Sequence, residues 1–236
     1  MKTILTLEQF LLEGKNDPGI LKAFFMAGGP GSGKSFVATE IFDLPTDGLS
    51  QVGYSNGLKL LNSDAHFERL MKDKGIDQTS LRDLRGGTSS WQKIMQIRDR
   101  AKRLTDIQLK YWLQGRLGLI IDGTGKNFDK IYKFNKRLLD LGYDTHLVFI
   151  NTSLEVALQR NASRPRRLPD DMVEKMWSQV QENLGKFQQL FKGNLIIVDN
   201  SDYEKSARIL SKVNRQIHGR MKSAVQNPIG KKWLNS

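Results

Sequence analysis

Eight consecutive residues, Gly28-Gly29-Pro30-Gly31-Ser32-Gly33-Lys34-Ser35, follow directly on the apolar run Leu21 to Ala27 and constrain this chain more than any other part of it. A glycine-rich turn between a buried strand and a helix lets successive backbone N–H groups converge on an anion with no Cβ in the way. The helix that follows turns its positive end toward the same point. Lys34 is placed to reach the β- and γ-phosphates of a nucleoside triphosphate, and Ser35 to offer its hydroxyl to Mg²⁺, a small hard cation that takes oxygen ligands. Gly28, Gly29, Pro30, Gly31, Ser32, Gly33, Lys34 and Ser35 are therefore expected to form a phosphate-binding loop.

The surrounding pattern fits that placement. Strand-like apolar runs recur at Leu58 to Leu61, Leu117 to Ile121, Thr145 to Ile150 and Leu195 to Val198, each separated by enough chain for a helical crossover. Five strands alternating with helices predict an α/β fold, a parallel sheet flanked by helices. Met172, Val173, Met176, Trp177, Val180, Leu184, Phe187, Leu190 and Phe191 recur at three- and four-residue steps and predict one wide buried helical stripe. Trp91 to Trp112 and Ile131 to Leu141 carry the same period. Thr6-Leu7-Glu8-Gln9 has the form of a capping box, which predicts a short helix through Leu12. Loops are expected at Pro45 to Gly57 and Gly75 to Ser90.

Composition narrows the chemistry. The 236 residues suffice for one α/β domain, and the absence of cysteine excludes disulfides, thiolate catalysis and thiol-ligated metals. Three scattered histidines leave Mg²⁺ as the expected metal. Met1 to Glu8 fits neither a signal peptide nor a membrane span, so a cytoplasmic protein without membrane contact is expected. The formal net charge is +12, and eight basic residues with no Asp or Glu lie between Lys205 and Ser236, leaving +4 for the 204 residues before them. That run is either a solvated face or a polyanion contact, with Trp233 beside Lys231 and Lys232 available for stacking. The boundary is expected near His218-Gly219, giving a domain over 1–218 and a basic C-terminal tail over 219–236.

In an open parallel sheet the ligand lies beyond the carboxyl ends of the strands. Asp64 follows the second strand in Leu60-Leu61-Asn62-Ser63, and Asp122 ends the third before Gly123-Thr124-Gly125. Phosphoryl transfer needs one carboxylate to orient and deprotonate an accepting hydroxyl and another to hold hydrated Mg²⁺. Asp64 suits the first role and Asp122 the second; the alternatives are a helix N-cap at Asp64 and a turn residue at Asp122. Arg160 and Arg164 are spaced to share a helix face, before Pro165 opens a loop to about residue 170. They are either a closing lid over the phosphates or a basic surface patch.

From about Phe24 to Ser201 the chain resembles the P-loop kinases of the bacteriophage polynucleotide kinase and zeta-toxin group. The resemblance rests on Gly28 to Ser35, Leu61-Asn62-Ser63-Asp64, Ile120-Ile121-Asp122-Gly123-Thr124, and Arg160-Asn161-Ala162-Ser163-Arg164 leading through Pro169 into a helix. It implies a P-loop NTPase three-layer sandwich with strand order 2-3-1-4-5, ATP and Mg²⁺ as ligands, Asp64 as general base, and Arg160 and Arg164 as lid arginines near the ATP phosphates. The pattern departs at Phe67, where polynucleotide kinases of this kind carry arginine; Arg69 lies two residues on. The implied activity is transfer of the γ-phosphate to a hydroxyl of a nucleic acid, at a 5′-hydroxyl or a hydroxymethylated base, or of a nucleotide. A zeta-toxin-like nucleotide-sugar kinase is the alternative within the group. An ATP-binding assembly protein with no acceptor is the alternative of another class.

Overall fold

The computed structural model describes residues 15–44, 57–76, 88–164 and 167–236. The helix expected over Thr6 to Leu12, most of the two expected loops, and Pro165 and Arg166 of the lid lie outside the described residues.

Five strands form one parallel sheet: β1 (Lys22–Ala27), β2 (Lys59–Leu61), β3 (Leu119–Asp122), β4 (Asp144–Asn151) and β5 (Leu195–Asp199). Their order is β2-β3-β1-β4-β5, as the resemblance implies. β1 pairs in parallel with β3 and β4, in a register that sets Phe24 opposite Ile120 and His146. Every residue of β1 is buried, because helices cover both faces of a central parallel strand, and its sequence is accordingly almost unbroken in hydrophobicity.

Side chains alternate across the strand and so divide the core into two layers. Phe24 and Met26 point into a cluster with Val37, Ile41 and Phe42 of α1 (Lys34–Phe42) and Leu210, Val213, Ile217 and Met221 of α8 (Tyr203–Lys222). Ala23, Phe25 and Ala27 point the other way. They meet Leu113 of α3 (Ser89–Gln114), Leu138 of α4 (Phe128–Asp140), Val180 of α6 (Asp170–Glu182), and Phe187 and Phe191 of α7 (Leu184–Phe191). α2 (Ser63–Asp73) packs on α3 through a satellite cluster of Phe67, Met71, Ile94, Ile97 and Ala101. α5 (Leu154–Ala162) follows β4.

Two expectations change. The single stripe over residues 172–191 is two helices broken at Asn183, whose buried amide donates to the carbonyls of Gly125 and Lys126, both at 3.0 Å. The boundary expected after His218 falls inside α8, and the chain beyond it ends in α9 (Pro228–Leu234), which is packed onto the domain. Asp144 accepts from Lys22 Nζ at 2.8 Å and from the Asn227 amide at 2.8 Å, while Asn227 caps α9 and donates to Leu139 and Tyr143 carbonyls. Gly142 and Gly230 touch backbone to backbone; a Cβ on Gly142 would lie 2.6 Å from Gly230 N. Trp233 and Leu234 pack against the α3–α4 side of the core, and Lys15 and Arg116 sit over the Trp233 ring at 5.7 and 5.8 Å. This segment closes the amino-terminal edge of the sheet, where β1 and β4 begin. No described helix is long and apolar enough to cross a membrane.

Candidate active site

The phosphate loop lies at the opposite, carboxyl edge, between β1 and α1. Its shape depends on glycine at two points. Gly31 (φ 76°) and Gly33 (φ 77°) take left-handed conformations that cost other residues about 1–2 kcal/mol. Neither has room for a side chain: a Cβ would lie 2.2 Å from the Ala157 carbonyl oxygen at Gly31 and 2.3 Å from Asn200 Nδ2 at Gly33. The loop is thus wedged between α5 and the end of β5. Asn200, buried just past β5, donates to the Ser32 carbonyl at 2.8 Å, and the Gly28 amide donates to the Thr124 carbonyl at 3.1 Å. With Asn183 holding Gly125 and Lys126, the loop after β3 and the phosphate loop form one braced unit.

Lys34 and Asp122 meet beside it. Lys34 Nζ forms an ion pair with Asp122 Oδ1, and the second Asp122 oxygen accepts from Asn62 Nδ2 at 3.0 Å. Asn62, not Asp64, is the N-cap of α2: its Oδ1 accepts from the Asp64 amide at 2.7 Å. This leaves the Asp64 carboxylate free of capping; it is 61% exposed and faces Arg98 of α3 at 3.8 Å. Arg98 also lies over the buried Phe67 ring, its guanidinium carbon 5.4 Å from the centroid. Arg69 is exposed on α2.

Arg160 is on α5 beside the loop, with Nη1 3.5 Å from where a Gly33 Cβ would be. That nitrogen is buried without a hydrogen-bond partner, and Ser32 Oγ is in the same condition. An unpartnered buried donor costs about 1–3 kcal/mol, more when charged, which a bound anion would offset. The donor set therefore fits a triphosphate: backbone amides of a glycine loop, Lys34, and a guanidinium with an unspent N–H. Ser35 and Asp122 supply the hard oxygens that suit Mg²⁺. Arg164 does not share a helix face with Arg160; α5 ends at Ala162 and Arg164 is exposed past the cap. Asn161, near the end of α5, is fully buried. Its amide donates to the Leu168 carbonyl at 2.8 Å and its oxygen accepts from the Leu168 amide at 3.1 Å, so Asn161 and Leu168 are held together.

Next to Asp122 and Gly123 to Lys126 opens a cavity of about 700 Å³ between α3 and α4. Its floor is Phe25, Leu61 and Ile121 of the sheet.

The sequence model of a family described as an AAA domain matches residues 24–187, well over half of the chain. A search of curated proteins found no match. Among solved structures, the crystal structure of AvrRxo1-ORF1:-ORF2 with ATP is similar at TM-score 0.55 and 16% identity, covering 82% of this chain and 62% of that one. This chain therefore spans less than two thirds of the length of that protein. The native AvrRxo1-ORF1:-ORF2 complex gives TM-score 0.55 at 14% identity, over 97% of this chain and 82% of the other. A structure from the PezAT chromosomal toxin-antitoxin system of Streptococcus pneumoniae gives TM-score 0.50 at 16% identity, over 98% and 97%. At these identities the likeness is one of fold.

Proposed function

The chain belongs to the AAA domain family, and on that premise we propose that it is an ATP- and Mg²⁺-dependent kinase that moves the γ-phosphate onto a hydroxyl of a nucleic acid or nucleotide. The observation that carries this reading is the bridge at Asn62. One amide side chain ties Asp122, the residue that holds Lys34, to the backbone of Asp64, so the donor and acceptor carboxylates are set by a single residue.

In this reading Gly28 to Ser35 and Lys34 grip the β- and γ-phosphates. Ser35 and Asp122 would hold Mg²⁺, which when bound would supply positive charge against the phosphates. Asp64 takes the proton of the accepting hydroxyl as its oxygen attacks the γ-phosphorus; the bond to the β-phosphate oxygen breaks and ADP leaves. Arg160 donates to the transferring phosphoryl group, where a planar, permanently charged fork matches the oxygens on which charge gathers. Arg164, on the lid loop, would join it when the loop moves in. Each of these is a positioning or electrostatic contribution, in keeping with a reaction that asks the protein for little covalent chemistry.

Asp64→Asn and Lys34→Ala test the assignment with γ-labelled ATP and a panel of 5′-hydroxyl oligonucleotides, hydroxymethylpyrimidine DNA, nucleosides and nucleotide sugars. Both variants should abolish labelling, while Asp64→Asn keeps ATP affinity within about two-fold because it touches no phosphate. Transfer surviving in Asp64→Asn refutes the base. A nucleotide-sugar acceptor is a second reading, favoured by the cavity of about 700 Å³ beside Asp122, which is the size of a small-ligand site.

A further inference from the structure

The cleft between α3 and α4 has a chemistry of its own. One wall is the edge of α4: Lys130, Lys133 and Arg137 follow each other at three- and four-residue steps and share a face, with Lys126 just before the helix. The facing wall carries Lys102, Asp106 and Leu109 of α3 at the same spacing. Five cations thus line the cleft with Asp106 and Asp122; Lys102 is paired with Asp99 at 3.6 Å and Asp122 with Lys34, which leaves the four cations on the α4 side against Asp106. Among the described residues none of Lys126, Lys130, Lys133 and Arg137 makes an ion pair, although Asp129 and Asp140 lie on the same helix. Below the cations the cleft is apolar, with Phe25, Leu61, Ile121 and Phe134. At one end it reaches Asp122, which ends β3, and Ser63, the residue before Asp64.

We infer that this cleft receives the phosphate-bearing part of the acceptor, and that the acceptor is a phosphorylated small molecule of about nucleotide size. The inference rests on the kinase reading for its word acceptor, but the anion site itself does not. A cation wall over an apolar floor selects a molecule with a hydrophobic or planar body and negative charge at its edge. Lys130 to Arg137 covers only about 10 Å of helix. That is short of the track a strand-binding groove lays under about four or more nucleotides, whereas the volume falls within the roughly 300–1,000 Å³ of small-ligand pockets. The hydroxyl to be phosphorylated would then face Asp64 from the α3–α4 side.

The test uses the full chain saturated with Mg·AMP-PNP, so that the phosphate loop is filled, and titrates inorganic pyrophosphate by calorimetry. Wild type should bind one pyrophosphate per chain. Lys130→Glu/Lys133→Glu, a change of two exposed side chains, should weaken that binding by about ten-fold or more and leave Mg·AMP-PNP affinity unchanged. A parallel titration with a short 5′-hydroxyl oligonucleotide separates the two polyanion classes. No saturable pyrophosphate binding in wild type, or binding equal in the variant, overturns the site. An oligonucleotide binding about ten-fold tighter than pyrophosphate through the same two lysines makes the cleft a strand groove and overturns the small-molecule assignment. Failure of the kinase reading looks different: pyrophosphate still binds and is lost in the variant, while no acceptor is ever labelled.

Discussion

His146 should make the fold acid-sensitive well above the range in which its carboxylates titrate. It lies on β4, 6% exposed, stacked on Phe24 at 4.9 Å between ring centroids. Arg220 donates to its Nδ1 at 2.9 Å, and a guanidinium has only protons to give, so the imidazole proton is on Nε2. Nε2 is buried with no partner. Burial first, then the Arg220 and Lys22 charges, push its pKa from 6.5 down to about 3, with Asp144 a smaller opposing influence. The folded protein therefore keeps a neutral ring where the unfolded chain takes up a proton. A lowered histidine pKa leaves stability whole above the unfolded value and removes it as pH falls from 6.5 toward about 3. Between about pH 8 and pH 4.5 the two values correspond to a loss of about 3 kcal/mol, a large part of a marginal stability of roughly 5–15 kcal/mol.

Urea melts at both pH values would measure this on wild type and on His146→Gln, which keeps an acceptor for Arg220 and cannot titrate. The variant should start less stable, since an amide packs worse on Phe24, yet lose about 2–3 kcal/mol less than wild type over the interval. Asp144 does not confuse the comparison. Burial alone would raise its pKa, but the Lys22 hydrogen bond, the Gln226 and Asn227 amides and the Lys22 charge outweigh it and hold the group below the usual carboxylate range. Its contribution is present above the unfolded pKa and goes only below about pH 4. Parallel stability profiles for wild type and variant would refute the argument.

Three further outcomes follow from named contacts. Gly33→Ala places a methyl 2.3 Å from Asn200 Nδ2 at φ 77°, so it should break the Asn200–Ser32 hydrogen bond and weaken Mg·ATP binding by about ten-fold or more, read by calorimetry, with the fold retained. Arg160→Ala removes the guanidinium with the unpartnered Nη1 and should lower kcat/KM by about 10²–10³, most of it in kcat, while the exposed Arg164→Ala costs less; steady-state kinetics on any labelled acceptor checks the order. Trp233→Ala should cost about 3 kcal/mol in a urea melt by loosening α9 from the core. It should leave Mg·ATP affinity unchanged, since strands of this length hold the two edges of the sheet roughly 20 Å apart.

The glycine-rich loop after β1 and the alternation of strands with helices were legible because each depends on residues close in sequence, glycines at fixed offsets and apolar runs with their own period, whereas the strand order came only with the family resemblance. The packing of the C-terminal segment is not legible in sequence, for the opposite reason. Its eight cations dominate the composition, while the residues that tie it down, Met221, Val225, Gly230 and Trp233, are few and too widely spaced to read as a stripe. The charge is real, and Lys231 and Lys232 are exposed. They stand at the edge of the sheet away from the phosphate loop, so a polyanion held there would be remote from the transfer site.

In the proposed site, Asp64, Asp122, Arg160 and Arg164 stand out in sequence because few other residue types suit phosphoryl-transfer chemistry. The asparagines that brace the strand-end loops do not. Asn62 reaches Asp122, 60 residues away, Asn183 reaches Gly125 over 58, and Asn200 reaches Ser32 over 168. An amide has no charge pattern and no periodicity to betray such a partner. One signal was available, since Asn62 and Asn200 each follow a strand at its carboxyl end, where an open parallel sheet meets its ligand. The α4 cations show a deeper limit. Ile131, Phe134 and Leu138 announce a buried face, and Lys130, Lys133 and Arg137 run along its flank. Periodicity says which side of a helix faces the core. Whether the flank beside it borders another helix or a cleft depends on where α3 packs, and α3 is placed by contacts with α2 that no local pattern in α4 contains. A substrate wall and an ordinary solvated edge thus share one sequence signature, and only the gap between two helices tells them apart.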